Sequence, residues 1–154
     1  MSKEYDWDNY NDCMEAVKEN GFLLRLVNDQ TEEICLEAVK QNGWALQYVR
    51  KQTELMCLIA VRQNGRILYY VKEQTYNICL EAVKQTGWAI EYVNEQTEEI
   101  CLEAIKQTSW TLKFVKEQTY NICLEAIKQD GWTIQLIDKQ QFPEIYEIWR
   151  LMYE

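Results

Sequence analysis

Histidine is absent from this chain of 154 residues, and proline occurs once. Glycine occurs five times, and 16 lysines and arginines face 25 aspartates and glutamates. Each scarcity excludes something. Without histidine there is no Ser-His or Cys-His nucleophile pair, and the usual nitrogen ligand of a metal site is missing. The glycines are scattered, so no glycine-rich loop exists to cradle a phosphate. A net charge of −9 argues against general binding to a nucleic-acid backbone, which needs a cationic surface. No apolar run reaches the length of a membrane span, and no secretory or lipidation signal is present. No stretch alternates with period two over a strand's length, so no sheet is expected. The expectation is a soluble, intracellular, all-α protein that is not an enzyme and carries no metal or cofactor. Carboxylates abound, but they repeat with the scaffold, whereas a catalytic site normally breaks a repeat.

Repetition dominates what is present. Cys13, Cys35, Cys57, Cys79, Cys101 and Cys123 are spaced 22 residues apart, and a fixed period of this length is the mark of a repeat architecture. Alanine stands three residues after each cysteine (Ala16 to Ala126), followed by valine or isoleucine. A glycine follows at Gly21, Gly43, Gly65, Gly87 and Gly131, and Ser109 takes its place in the fifth unit. The second unit, Thr31 to Gln52, reads TEEICLEAVKQNGWALQYVRKQ. It predicts two short helices. Thr31 is a good N-cap, Glu32 and Glu33 suit the positive helix end, and Gly43 breaks the helix as a left-handed C-cap or as the next N-cap. A second helix is expected from Trp44 to about Lys51-Gln52. On the helical wheel Ile34, Cys35, Leu36, Ala38 and Val39 face inward, and Glu33, Glu37, Lys40 and Gln41 face out. Ala45, Leu46 and Val49 lie inward on the second helix, flanked by Trp44 and Tyr48.

Helices this short are unstable alone in water, so the units must stack as an α-solenoid. The chain (1–154) is read as one domain: an N-terminal cover at 1–8, six two-helix repeats at 9–140 and a capping helix at 141–154. Pro143 suits the first turn of that last helix, and Ile145 stands 22 residues after Cys123. The tryptophans at Trp44, Trp88, Trp110 and Trp132 read as packing between neighbouring repeats and not as a stacking platform for bases.

The cysteines admit three readings. Disulfides need Cα atoms within about 7 Å, closer than equivalent points on stacked helices. Metal binding needs converging ligands, and these are in single file. The favoured reading is a small, soft apolar residue on a buried face, as free thiols in a reducing compartment. The row from Lys18 to Lys128 runs beside glutamates three residues away and reads as a solvated, ion-paired face.

The third unit departs most from its siblings. Leu55 stands where the others carry Asn11, Glu33, Asn77, Glu99 and Asn121, and Ile59 stands where they carry glutamate. Arg66 replaces an aromatic residue (Phe22, Trp44, Trp88, Trp110, Trp132), and Tyr69 takes an outward position. An apolar spot rimmed by charge marks an interaction surface, so Leu55, Ile59, Arg62, Arg66 and Tyr69 are the candidate protein-binding residues. Drift, or contact with a neighbouring loop, is the alternative.

The motif ICLEAV…GW, carried in TEEICLEAVKQNGWALQYVRKQ and TYNICLEAVKQTGWAIEYVNEQ, resembles a short helical repeat of unknown function. That repeat is abundant in giant viruses of amoebae and occurs in some amoeba-associated bacteria. The likeness covers about Cys13 to Gln140. It implies a viral or effector-like protein acting in a host cell, in the cytoplasm, a viral factory or the virion. It brings no activity, cofactor or catalytic residue. The function expected is therefore a scaffold that binds another protein, or itself as a homodimer. The alternative is a nucleic-acid-associated factor or an acidic nucleic-acid mimic.

Overall fold

The structure, a computed structural model, describes residues 4–153. Six units each pair a ten-residue α-helix with a six-residue 3-10 helix. The α-helices are α1 (Tyr10–Glu19), α2 (Glu32–Gln41), α3 (Glu54–Gln63), α4 (Tyr76–Gln85), α5 (Glu98–Gln107) and α6 (Tyr120–Gln129). The 3-10 helices are η1 (Gly21–Leu26), η2 (Gly43–Tyr48), η3 (Gly65–Tyr70), η4 (Gly87–Tyr92), η5 (Ser109–Phe114) and η6 (Gly131–Leu136). A last helix, α7 (Pro143–Tyr153), closes the array. Among the described residues there is no strand. Each α-helix packs on its neighbours in one layer and each 3-10 helix on its neighbours in another, which makes the expected α-solenoid.

Each of the helices α1 to α6 starts and stops for a visible reason. The Thr31, Thr53, Thr75, Thr97 and Thr119 hydroxyls each accept the backbone N–H three residues on, at 3.3–3.4 Å. Asn9 does the same work for α1. The helices end where Asn20, Asn42, Asn64, Thr86, Thr108 and Asp130 turn to extended backbone. The face turned to the 3-10 layer is buried: Cys35, Ala38 and Val39, with Ala45, Leu46 and Val49 opposite, are at most 3% exposed, and the same positions recur along the stack. Burial at about 25 cal/mol per Å² of apolar surface is what holds units this small together.

Three expectations are corrected. The second element of each unit is a 3-10 helix that ends near Tyr48, not an α-helix reaching Lys51-Gln52. Beyond Tyr48 the backbone bonds to side chains of the preceding unit: Arg50 N–H donates to Gln30 Oε1 at 3.0 Å. The glycine is neither a left-handed C-cap nor an N-cap, since among the described residues none has positive φ and each glycine is the first residue of its 3-10 helix. It is needed for close approach. A Cβ on Gly43 or Gly87 would lie 3.0 or 2.8 Å from the carbonyl oxygen of Ala60 or Ala104 in the next unit, and those on Gly21 and Gly65 closer still to Ala38 and Ala82. Leu36 and its equivalents, expected to face inward with Cys35, are only half-buried and pack against the outside of the core.

Two rows of glutamine knit the units. Gln63 Oε1 accepts the Gly43 N–H at 2.6 Å while its amide donates to Val39 and Lys40 carbonyls at 2.9 and 3.1 Å. Those carbonyls belong to the end of α2, where a helix leaves its last acceptors unpaired. Gln107 does the same at Gly87, Val83 and Lys84. In the other row, the Gln52 amide donates to Leu46 and Tyr70 carbonyls of successive units, and its oxygen accepts Lys72 N–H at 3.0 Å.

The ends follow the same logic. Ile145 on α7 is fully buried. Tyr153 Oη donates to the Ile127 carbonyl at 2.7 Å, the place that Gln63 takes at Val39. Trp149 Nε1 donates to Gly131 O at 2.8 Å. Of the expected N-terminal cover, residues 1–3 lie outside the described residues. Trp7 packs on the core, and its carbonyl accepts Asn28 N–H at 3.3 Å.

Candidate functional site

The outer surface of α3 begins with Leu55, four residues before Ile59 and seven before Arg62, so all three share one side of the helix. Leu55 is 54% exposed. Ile59 is half-buried and packs on the core, as do Leu58 and Leu80 of the next helix. The wheel left out Leu58 and Leu80 because it turned this position inward. Arg62 extends across the unit boundary, where its Nε donates to Glu81 Oε2 at 2.7 Å. That bond holds the Glu81 carboxyl below its ordinary range. Arg62 is therefore tied to the scaffold through Nε, while its side chain stays 62% exposed.

Arg66 and Tyr69 do not join this surface. Both lie on η3, in the 3-10 layer, and the reason is structural. In that layer an aromatic ring of one unit packs edge-on against a ring of the next: Phe22 on Tyr48, Trp44 on Tyr70 and Trp88 on Phe114, at 6.0–6.2 Å. Arg66 breaks the row. Tyr69 restores it by packing on Tyr92 at 5.5 Å and on Tyr70 at 5.0 Å. Their joint departure from the pattern is a compensated exchange. The tryptophan row is packing at Trp44 and Trp88, but Trp132 is 76% exposed.

All six cysteines are free and buried. They are also hydrogen-bonded, which sequence reasoning missed. The thiols of Cys35, Cys57, Cys79, Cys101 and Cys123 each lie 3.5–3.9 Å from the Oε1 of the glutamine five residues earlier. Burial pushes Cys35, Cys57, Cys101 and Cys123 up to about 11, so they stay protonated and unreactive at neutral pH.

Elsewhere on the α layer a shallow groove of about 600 Å³ lies between α5 and α6, lined by Glu98, Glu99, Leu102, Lys106, Leu124 and Lys128 among others. Lys106 pairs with Glu103 at 3.7 Å. Among the described residues no group of three or more Cys, Asp or Glu could hold a metal ion, and no helix is long and apolar enough to cross a membrane.

This geometry defines a helical repeat protein whose units are bonded to one another through side-chain amides. Overlapping windows of the chain, 9–56, 31–75, 53–97, 75–120 and 97–140, match the family described as Domain of unknown function (DUF4116). The windows together span residues 9–140, and the chain belongs to that family. No curated protein and no solved structure matches it.

Proposed function

We propose that this chain is a non-enzymatic scaffold that binds another protein through the outer face of α3. One observation carries the reading: Leu55 is 54% exposed at a position where every sibling unit is polar, with Ile59 beside it. A solvated helix face gains nothing from such a pair, whereas a buried contact does. Arg66 and Tyr69 are left out of the contact because the ring row accounts for them. The resemblance to repeats of giant amoebal viruses supports a viral or effector-like role inside a host cell, and the unpaired thiols suit a reducing compartment.

The test is Leu55→Glu with Ile59→Glu, which restores the sibling pattern. Removing the remaining exposed area of both side chains costs association about 2 kcal/mol, or roughly thirtyfold in affinity. Partner capture by the double variant should fall by that factor at unchanged helicity, while Arg66→Trp with Tyr69→Gln keeps full capture. Full binding by the first variant sinks the proposal. Salt-sensitive binding of duplex DNA by the wild type would favour the nucleic-acid reading instead.

A further inference from the structure

We propose that the occupant of the α3 face is a second copy of this chain, docked with its α-helices antiparallel about a twofold axis running along the stack. This rests on the reading that the face is a contact surface, and it adds what covers it.

The argument starts from how charge is laid out along each helix. Glu32, Glu33 and Glu54 stand exposed at the N-terminal ends of α2 and α3, and Lys40 and Arg62 stand exposed at their C-terminal ends. The helix dipole favours this placement. A face that is acidic along one edge and basic along the other complements itself only when a second copy runs antiparallel. A parallel arrangement sets lysine against lysine, and like charges brought together suppress a wrong pairing. The antiparallel one sets the mid-helix Glu37 and Glu81 towards their own mates, but each is paired with a cation of its own copy, Lys40 at 3.9 Å and Arg62 at 2.7 Å. A twofold axis is the commonest way for identical chains to meet, and it uses the same patch on both.

The residues of α3 fit that operation. With the axis passing beside Leu58 and Ile59, each Ile59 meets its symmetry mate at the apolar centre. Leu55 and Arg62 lie three to four residues on either side of that centre. Leu55 of one copy then covers the aliphatic stem of the other copy's Arg62, a stem well suited to apolar contact. Glu54 falls beside the guanidinium. Arg62 uses only Nε on Glu81, and among the described residues its two terminal nitrogens have no hydrogen-bond partner. They are the donors that a carboxylate across the axis would take. The net charge of −9 on each copy opposes association, but it acts at long range and is screened beyond about 10 Å at 0.1 M salt.

Cysteine cross-linking tests the arrangement, because the six native thiols are buried. Sedimentation equilibrium of the wild type should show mass rising with concentration to twice the monomer value, and Leu55→Glu with Ile59→Glu should stay monomeric. Ile59→Cys should form an interchain disulfide under mild oxidation. A mixture of Leu55→Cys and Arg62→Cys chains should cross-link to each other far more than either does to itself. Self-cross-linking of each variant alone would mean parallel helices and overturns the proposal. Monomer mass at every concentration, with no cross-link, also overturns it. If Leu55→Glu with Ile59→Glu still abolishes capture of a different protein in that case, the contact face stands and only the second copy falls.

Discussion

Adding one methyl group at Gly87 should loosen the joint between the fourth and fifth units. The backbone there has no positive φ, so alanine meets no conformational barrier. In the unfolded chain the exchange even helps, by about 0.4–1 kcal/mol of lost flexibility. Against this, the new Cβ lies 2.8 Å from the Ala104 carbonyl oxygen and 3.3 Å from Gln107 Cβ. The oxygen is backbone within α5 and cannot swing aside, so the helix must retreat. Overpacking of this kind costs about 1–3 kcal/mol. Retreat also stretches the 2.7 Å bond from Gly87 N–H to Gln107 Oε1, worth about 1 kcal/mol. The net expectation for Gly87→Ala is a loss of about 1–3 kcal/mol. Urea unfolding followed by far-UV circular dichroism measures it. Gly65→Ala should cost more, since its added carbon would sit closer to Ala82 O, and Gly43→Ala less, with 3.0 Å to Ala60 O. Gln107→Ala should be costly in the wild type and cheaper beside Gly87→Ala, because the strained joint has already lost part of the bond. Additivity of the pair within about 0.3 kcal/mol, or a Gly87→Ala as stable as the wild type, would refute the close-approach account. Ser109 shows how a Cβ is tolerated at this position. Its joint keeps the Gln129 amide bond to Lys106 O at 2.8 Å, but among the described residues the N–H bond to that glutamine is missing.

The raised thiols give a pH signature. Cys35, Cys57, Cys101 and Cys123 hold their protons to about 11, above the ordinary 9.0. The unfolded chain therefore releases protons that the folded chain keeps, and stability falls as pH rises from about 9 to 11. Urea midpoints across that range should drop less steeply in Cys57→Ala with Cys101→Ala, and an equal slope counts against the assignment. Tyr69→Ala should cost about 0.5–1.5 kcal/mol by opening the ring row at Tyr92, and adding Arg66→Trp should recover most of it; thermal melts would show whether it does. Trp149→Phe keeps the ring but loses the bond to Gly131 O, and should lower stability by about 1 kcal/mol in the same urea assay. No change there would mean that α7 is held by Ile145 and its apolar neighbours alone.

Much of the fold is legible because its rules are local. Threonine caps, a ten-residue apolar face and the 22-residue spacing can be read within one unit, and so can the match of Ile145 to the cysteine register. What escapes the wheel is what passes between units. Gln41 and Gln63 look like solvated residues on the outer face, yet they bond to Gly21 and Gly43, 20 residues upstream. The glycine looks like a helix stop, but its reason lies in the carbonyl of the following unit. A signal was available: glutamine recurs at Gln30, Gln52, Gln74, Gln96 and Gln118 and again at Gln41, Gln63, Gln85, Gln107 and Gln129, while the exposed residues beside it vary. The candidate site was half legible. Leu55 and Ile59 show as apolar breaks in a polar row, but Arg66 and Tyr69 break the row only because one compensates for the other across a boundary that no single unit contains.

These crossing bonds also explain how such small units hold together. A ten-residue α-helix is below the length that persists alone in water, and a six-residue 3-10 helix is weaker still. Within one unit the last carbonyls of the α-helix and the first N–H of the 3-10 helix have no partner. Each needs a glutamine from the following unit, and the cysteine thiol and the next loop share the oxygen of another. No unit can therefore satisfy its own polar groups. Stability in such an array resides in the joints as much as in the units, and a joint that lacks one of these bonds is a weak link. The fifth unit, with Ser109 for glycine and Thr108 giving η5 no side-chain cap, meets the sixth across such a joint. Opening of the array should begin there, and amide exchange of η5 should be faster than that of η2, where Gly43 keeps its bond to Gln63 and Asn42 caps the helix.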